Sequence, residues 1–124
     1  KALVTFTRGE GFGLPILEAA ASGLPVIATN WSAHTEFLKL GKYIPVKYKL
    51  NNLPSSRIDN SIFVPNSRWA NVDEDDAKAR IRKFRKSPSI PQRWAAELKE
   101  KLVKRYKQAD IEKIYERQLG NYFE

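Results

Sequence analysis

The chain has 124 residues, with 22 Lys or Arg against 14 Asp or Glu for a formal net charge of +8, one His, and neither Cys nor Met. That length suits one compact domain with a real core. Without Cys there are no disulfides, thiolate zinc sites or cysteine nucleophiles, and a lone His excludes a His-rich metal centre. No apolar run approaches the ~18 residues of a membrane-spanning helix.

The chain opens on an apolar run, Ala2–Thr7, with no Met and no charged-then-apolar leader before it. We expect it to be a piece of a longer polypeptide. Residues 2–7 predict a short buried strand. Residues 8–14, with Gly9, Gly11 and Gly13, predict a loop. Pro15 suits the first position of a helix running to Ser22, with Gly23 as its stop. Pro25–Thr29 predicts a second strand. Strand, loop, helix, strand in this order favours a βαβ unit with a parallel pair.

Ser32 is placed to cap a short helix over Ala33–Lys39. Residues 41–68 predict a long excursion with one or two short strands, its apolar patches being Tyr43–Val46 and Ile62–Val64. Asp73 should cap the next helix, with Asp76 in the capping-box position and Val72 stapled to Ala77. Ala77, Ile81 and Phe84 form its core stripe, and Ser87-Pro88 ends it. Pro91 should open a long helix carrying Trp94, Leu98, Leu102 and Tyr106, with Ala95 and Val103 beside them. Asp110 should cap a last helix turning Ile111, Ile114, Tyr115 and Leu119 inward, with a stop near Gly120. The aromatics Trp69, Phe84, Trp94, Tyr106 and Tyr115 read as core rather than as sugar-stacking surfaces.

The chemistry concentrates in Glu10–Glu18. Glycines between a strand and a helix let backbone amides approach an anion, and the helix end adds partial positive charge. The loop is neither the dinucleotide fingerprint nor a P-loop. Glu10 and Glu18 would repel a phosphate, so as ligand groups they should meet hydroxyls on either side of one, as a nucleotide sugar offers. The competing reading has Glu18 serving the helix N-terminus and Glu10 solvated. His34 reads as a surface or helix-packing residue, and a phosphate role for Arg8 is weakly indicated.

Glu10–Ala28, EGFGLPILEAAASGLPVIA, resembles the signature of retaining glycosyltransferases of the GT-B fold, family 4 (glycosyl transferases group 1). That signature has two Glu separated by seven residues, here Glu10 and Glu18, then a small-residue helix and a Gly-x-Pro-Val strand, here Gly23 to Val26. Trp69–Asp73 and Ala109–Leu119 are similar to later segments of the family, while residues 41–68 diverge.

The resemblance implies an α/β fold: a Rossmann-like parallel sheet, part of the C-terminal donor domain, followed by C-terminal helices. Residues 1–87 would form the partial nucleotide-sugar-binding domain, with residues 88–124 packing on it. It implies a hexosyltransferase moving a hexose from an NDP-sugar to a glycan or lipid-linked acceptor, with Glu10 as the catalytic residue on the sugar hydroxyls. Gly11, Phe12 and Gly13 would face the sugar, Leu14 the diphosphate, and Glu18 the ribose. UDP- or GDP-hexose is the expected donor, with no cofactor and no metal. The acceptor would be held by an N-terminal domain missing from this sequence, so the chain alone should be inactive. The alternative is a catalytically inactive module with a structural or partner-binding role.

The charge is local. Residues 78–107 hold twelve Lys or Arg and two acids, a net +10, and the remainder nets −2. Basic residues alternating with an apolar stripe read as solvated faces of two amphipathic helices. Beyond that, they suit peripheral contact with an anionic membrane at a cytoplasmic location better than nucleic acid.

Overall fold

The computed structural model describes residues 1–107, 112–113, 116–117 and 119–120. Its front half is a three-stranded parallel sheet of β1 (Leu3–Thr5), β2 (Val26–Thr29) and β3 (Ile44–Val46), in that order. Leu3 lies opposite Val26, and Ile27 opposite Ile44. Parallel strands need crossovers, and here α1 (Leu14–Ala21) and α2 (His34–Leu38) supply them. The expected mixed α/β architecture, a Rossmann-like partial sheet followed by helices, is the one observed.

β2 is buried at every position because strands flank it on both sides and each of its faces is covered. Alternate residues of a strand point to opposite faces. Val26 and Ala28 pack with Ile16 and Ala20 of α1 and with Phe37 and Leu38 of α2. Ile27 packs on the other side with Ile44, Val46 and Ala77. β1, expected to be buried, is half-exposed, with Val4 44% exposed. Among the described residues it is the edge of the sheet and pairs only with β2.

α1 ends in a Schellman motif. Gly23 has φ +81°, its N–H bonds the Ala20 carbonyl, and the Leu24 N–H bonds that of Ala19. The excursion over 41–68 contains β3 and then β4 (Tyr48–Asn52), which pairs antiparallel with β5 (Arg68–Val72). Tyr43–Val46 thus yields a core strand, whereas Ile62–Val64 stands exposed in the hairpin loop.

α3 (Glu74–Lys86) starts at the expected cap, with the Asp76 N–H donating to Asp73 Oδ1 at 3.0 Å. The reciprocal half of the capping box is not made. The Asp73 N–H goes to the Lys47 carbonyl at 2.7 Å, and the Asp76 carboxylate accepts from the Lys47 N–H at 2.8 Å and from Arg80 Nε at 3.4 Å. Asp76 therefore stitches the helix to the joint between β3 and β4 instead of closing on its own cap. Ile81, expected in the core stripe, is 37% exposed, leaving Ala77 and partly buried Phe84 to make the contact.

α4 (Ser89–Arg105) begins two residues before Pro91 and buries Ala95, Leu98 and Leu102. Leu98 and Leu102 join the core of α1, β2 and α2, while Val103, expected beside them, is 51% exposed. Gly41 sits close under this helix, where a Cβ would stand in tight contact 3.1 Å from Leu98 Cβ. Eleven of the twelve basic residues in 78–107 are exposed, as the amphipathic reading expects. Asp110, Ile111, Ile114 and Tyr115 of the expected last helix lie outside the described residues, and Leu119, expected inward, is exposed. Among the described residues no helix is long and apolar enough to cross a membrane.

The Lys47 amide, followed by Arg80, holds the Asp76 carboxyl below its ordinary range. A carboxyl lowered in the folded state stabilises above its unfolded pKa, and that contribution is lost as pH falls through the folded value. We expect Asp76→Asn to be less stable than the parent near neutrality. The gap should close as pH drops below about 4, which urea titrations across that range will measure.

Candidate functional site

The glycine loop leaves the carboxyl end of β1 and enters α1 through Gly13, whose φ is +87°. A side chain is disfavoured there twice over: the backbone is left-handed, and a Cβ would stand 3.1 Å from His34 Cβ, a tight contact. Gly13 occupies the N-cap position without a side-chain cap, and the first turn of α1 holds no acid. Among the described residues the backbone N–H groups of Gly11, Phe12, Gly13 and Leu14 have no protein partner. The helix thus presents uncompensated donors and partial positive charge at the sheet's carboxyl edge.

Ser32 does not cap α2. Its φ is +85°, and its hydroxyl is turned to the glycine loop. Oγ accepts from the Glu10 N–H at 2.7 Å and donates to the Glu10 carbonyl at 2.9 Å. The Ser32 carbonyl accepts from Thr35 Oγ1 at 2.7 Å, fixing the corner from the other side. Phe12 rests its ring against Phe37, with centroids 5.7 Å apart. The backbone of Glu10 is therefore braced by the β2–α2 corner, a long-range contact with no local sequence signal.

Glu10 is half-buried and Glu18 exposed, and among the described residues neither carboxylate has a partner. α1 begins at Leu14, so Glu18 is its fifth residue and lies in the second turn. The favourable charge–dipole effect fades within one turn, which weakens the reading of Glu18 as a mere helix-end charge. Leu14 and Glu18 are four apart, hence on one face, and both are exposed.

His34 is fully buried, so the surface reading is wrong and the packing reading holds. Its Nε2 lies 2.7 Å from the Thr29 carbonyl, which can only accept, so Nε2 carries the hydrogen. His34 Nδ1 and the hydroxyls of Thr7 and Thr29 are buried without partners. Arg8 is committed to the hairpin: its guanidinium lies 4.4 Å from the Trp69 ring centroid and its Nε donates to Asn71 Oδ1 at 3.1 Å.

A glycine loop running from a parallel strand onto an uncapped helix is how α/β sheets hold anionic ligands at their carboxyl edge. Residues 1–49 match the model of the family Glycosyl transferases group 1. No curated protein and no solved structure matches the chain. The matched stretch contains β1, the loop, α1, β2, α2 and β3, and it supports a glycosyltransferase-like module.

Two variants test the brace. Gly13→Ala should lose about 1–3 kcal/mol in urea unfolding through backbone strain. Ser32→Gly keeps the left-handed corner but removes the hydroxyl. The Glu10 amide should then exchange hydrogen roughly fivefold faster, for about 1 kcal/mol of lost hydrogen bonding, while core amides of β2 keep their protection.

Proposed function

We propose that this chain forms the nucleotide-sugar-binding part of a retaining glycosyltransferase of the GT-B type. The observation that supports it is the uncapped start of α1 at the carboxyl edge of β1, with two nearby carboxylates, Glu10 and Glu18, that have no partner among the described residues. The amides of Gly11, Phe12 and Gly13 face the sugar, and Leu14 lies by the diphosphate. Glu10 takes the sugar hydroxyls and is the residue nearest the chemistry, and Glu18 takes the ribose.

In this reading the diphosphate of a UDP- or GDP-hexose departs with negative charge. Preorganised amides at the helix end stabilise that charge without reorganising, which is where such groups act most strongly, and no metal is required. The carboxylates flank the phosphates rather than touch them. A second lobe holds the larger part of the glycan or lipid-linked acceptor, and the basic faces of α3 and α4 rest against anionic lipid.

Calorimetric titration with UDP- and GDP-sugars, set against UDP and GDP, tests the assignment. Glu18→Ala should weaken sugar nucleotide and plain nucleotide alike by about tenfold or more, the scale of a hydrogen bond to a charged group. Glu10→Ala should weaken only the sugar nucleotide. Absence of saturable binding at millimolar ligand would favour a non-catalytic, partner-binding module.

A further inference from the structure

The β4–β5 hairpin extends beyond residue 49, where the family match stops. Between this hairpin and the glycine loop lies a cavity of about 620 Å³, a volume typical of small-molecule sites. Trp31, Trp69, Phe63 and Ile62 form its apolar walls; among the described residues Arg8 and Arg68 are its charged residues and no carboxylate lines it.

The walls are held in place. Arg8 is fixed by Trp69 and Asn71, and its carbonyl accepts from the Ala70 N–H of β5 at 3.1 Å. Trp31 packs on Tyr48, with ring centroids 5.4 Å apart. Asp59 Oδ1 accepts from the N–H groups of Ser61, Ile62 and Phe63 at 2.9–3.0 Å, setting the loop that carries Ile62 and Phe63. Ile62 is nonetheless 81% exposed and Phe63 42%, apolar surface that a ligand ring would cover.

Position indicates what that ligand is, given the donor reading above on which this step rests. Along the loop the proposed order is Glu18 for ribose, Leu14 for diphosphate and Glu10 for the sugar. Gly9 and Trp31, which line the cavity, directly precede Glu10 and Ser32, the braced pair. The cavity therefore adjoins the sugar end of the donor, where an acceptor must stand. Aromatic walls suit the apolar face of a pyranose, and guanidinium groups suit carboxylate, sulfate or phosphate.

We infer that the cavity between the glycine loop and the β4–β5 hairpin is an acceptor subsite for a negatively charged saccharide. The chain has three tryptophans, so an ¹⁵N spectrum of the full chain carries one indole N–H signal for each. Trp94 packs instead with α3 and β3 and serves as the internal control. Titration with glucuronic acid and with glucose 6-phosphate should shift the Trp31 and Trp69 signals saturably at millimolar ligand while Trp94 stays still. Glucose and inorganic phosphate should produce markedly weaker responses. Arg68→Gln should weaken the acidic sugars about tenfold and leave nucleotide binding unchanged.

Still signals for Trp31 and Trp69, or a response matched by phosphate or glucose alone, would overturn the inference. So would a UDP response as large as that of the acidic sugars, which would make the cavity a nucleotide seat. If the indoles respond but no sugar nucleotide binds by calorimetry, the acceptor role falls with the donor reading.

Discussion

The close approach of the glycine loop to the β2–α2 corner is the contact on which the site depends. Gly13 lies close over His34, where its left-handed backbone and a tight 3.1 Å approach both favour the absence of a Cβ, and Ser32 closes the same contact by exchanging two hydrogen bonds with the Glu10 backbone. Together these turn a run of flexible glycines into a loop of one shape. Loops rich in glycine lose much conformational entropy on ordering. Here that cost is met within the fold, and the amides of Gly11, Phe12, Gly13 and Leu14 are left without a partner among the described residues.

The core exists to hold that contact. β2 runs through the centre with both faces covered, and the Ser32 corner follows directly from its carboxyl end. α4 completes one face by seating Leu98 and Leu102 against α1, which carries the loop's helical end. α3 completes the other and is tied by Asp73 and Asp76 to Lys47, the single residue between β3 and β4. The orientation of the hairpin, and with it the cavity beside Arg8, is thus coupled to the start of α3.

Much of the framework was legible from local pattern. Apolar β-branched runs marked β1 and β2, Pro15 and Gly23 bracketed α1, and Asp73 marked the start of α3, because each signal acts within a turn or two of its own residue. The failures involve partners distant in sequence. Ser32 looked like a helix cap, but its hydroxyl found the Glu10 backbone 22 residues away. Asp76 looked like half of a capping box and instead reached Lys47, 29 residues away. Trp69 read as core, yet its place on β5 makes it a cavity wall under Arg8. Trp31 carried no signal at all.

Sequence alone determined the order of β1, α1, β2 and α2, the amphipathic character of α3 and α4, and the run from Glu10 to Glu18 with its glycines, but not the pairing of β4 with β5. Those features follow from side-chain spacing and backbone freedom, which are properties of neighbouring residues. Tertiary structure decided that β1 would be an exposed edge, that His34 would lie wholly buried beneath Gly13, and that Glu18 would sit a turn beyond the helix end. It also decided that a hairpin reaching beyond the matched region would wall a cavity beside the glycine loop. Each of these depends on which surfaces meet across the sheet, and no local propensity encodes that.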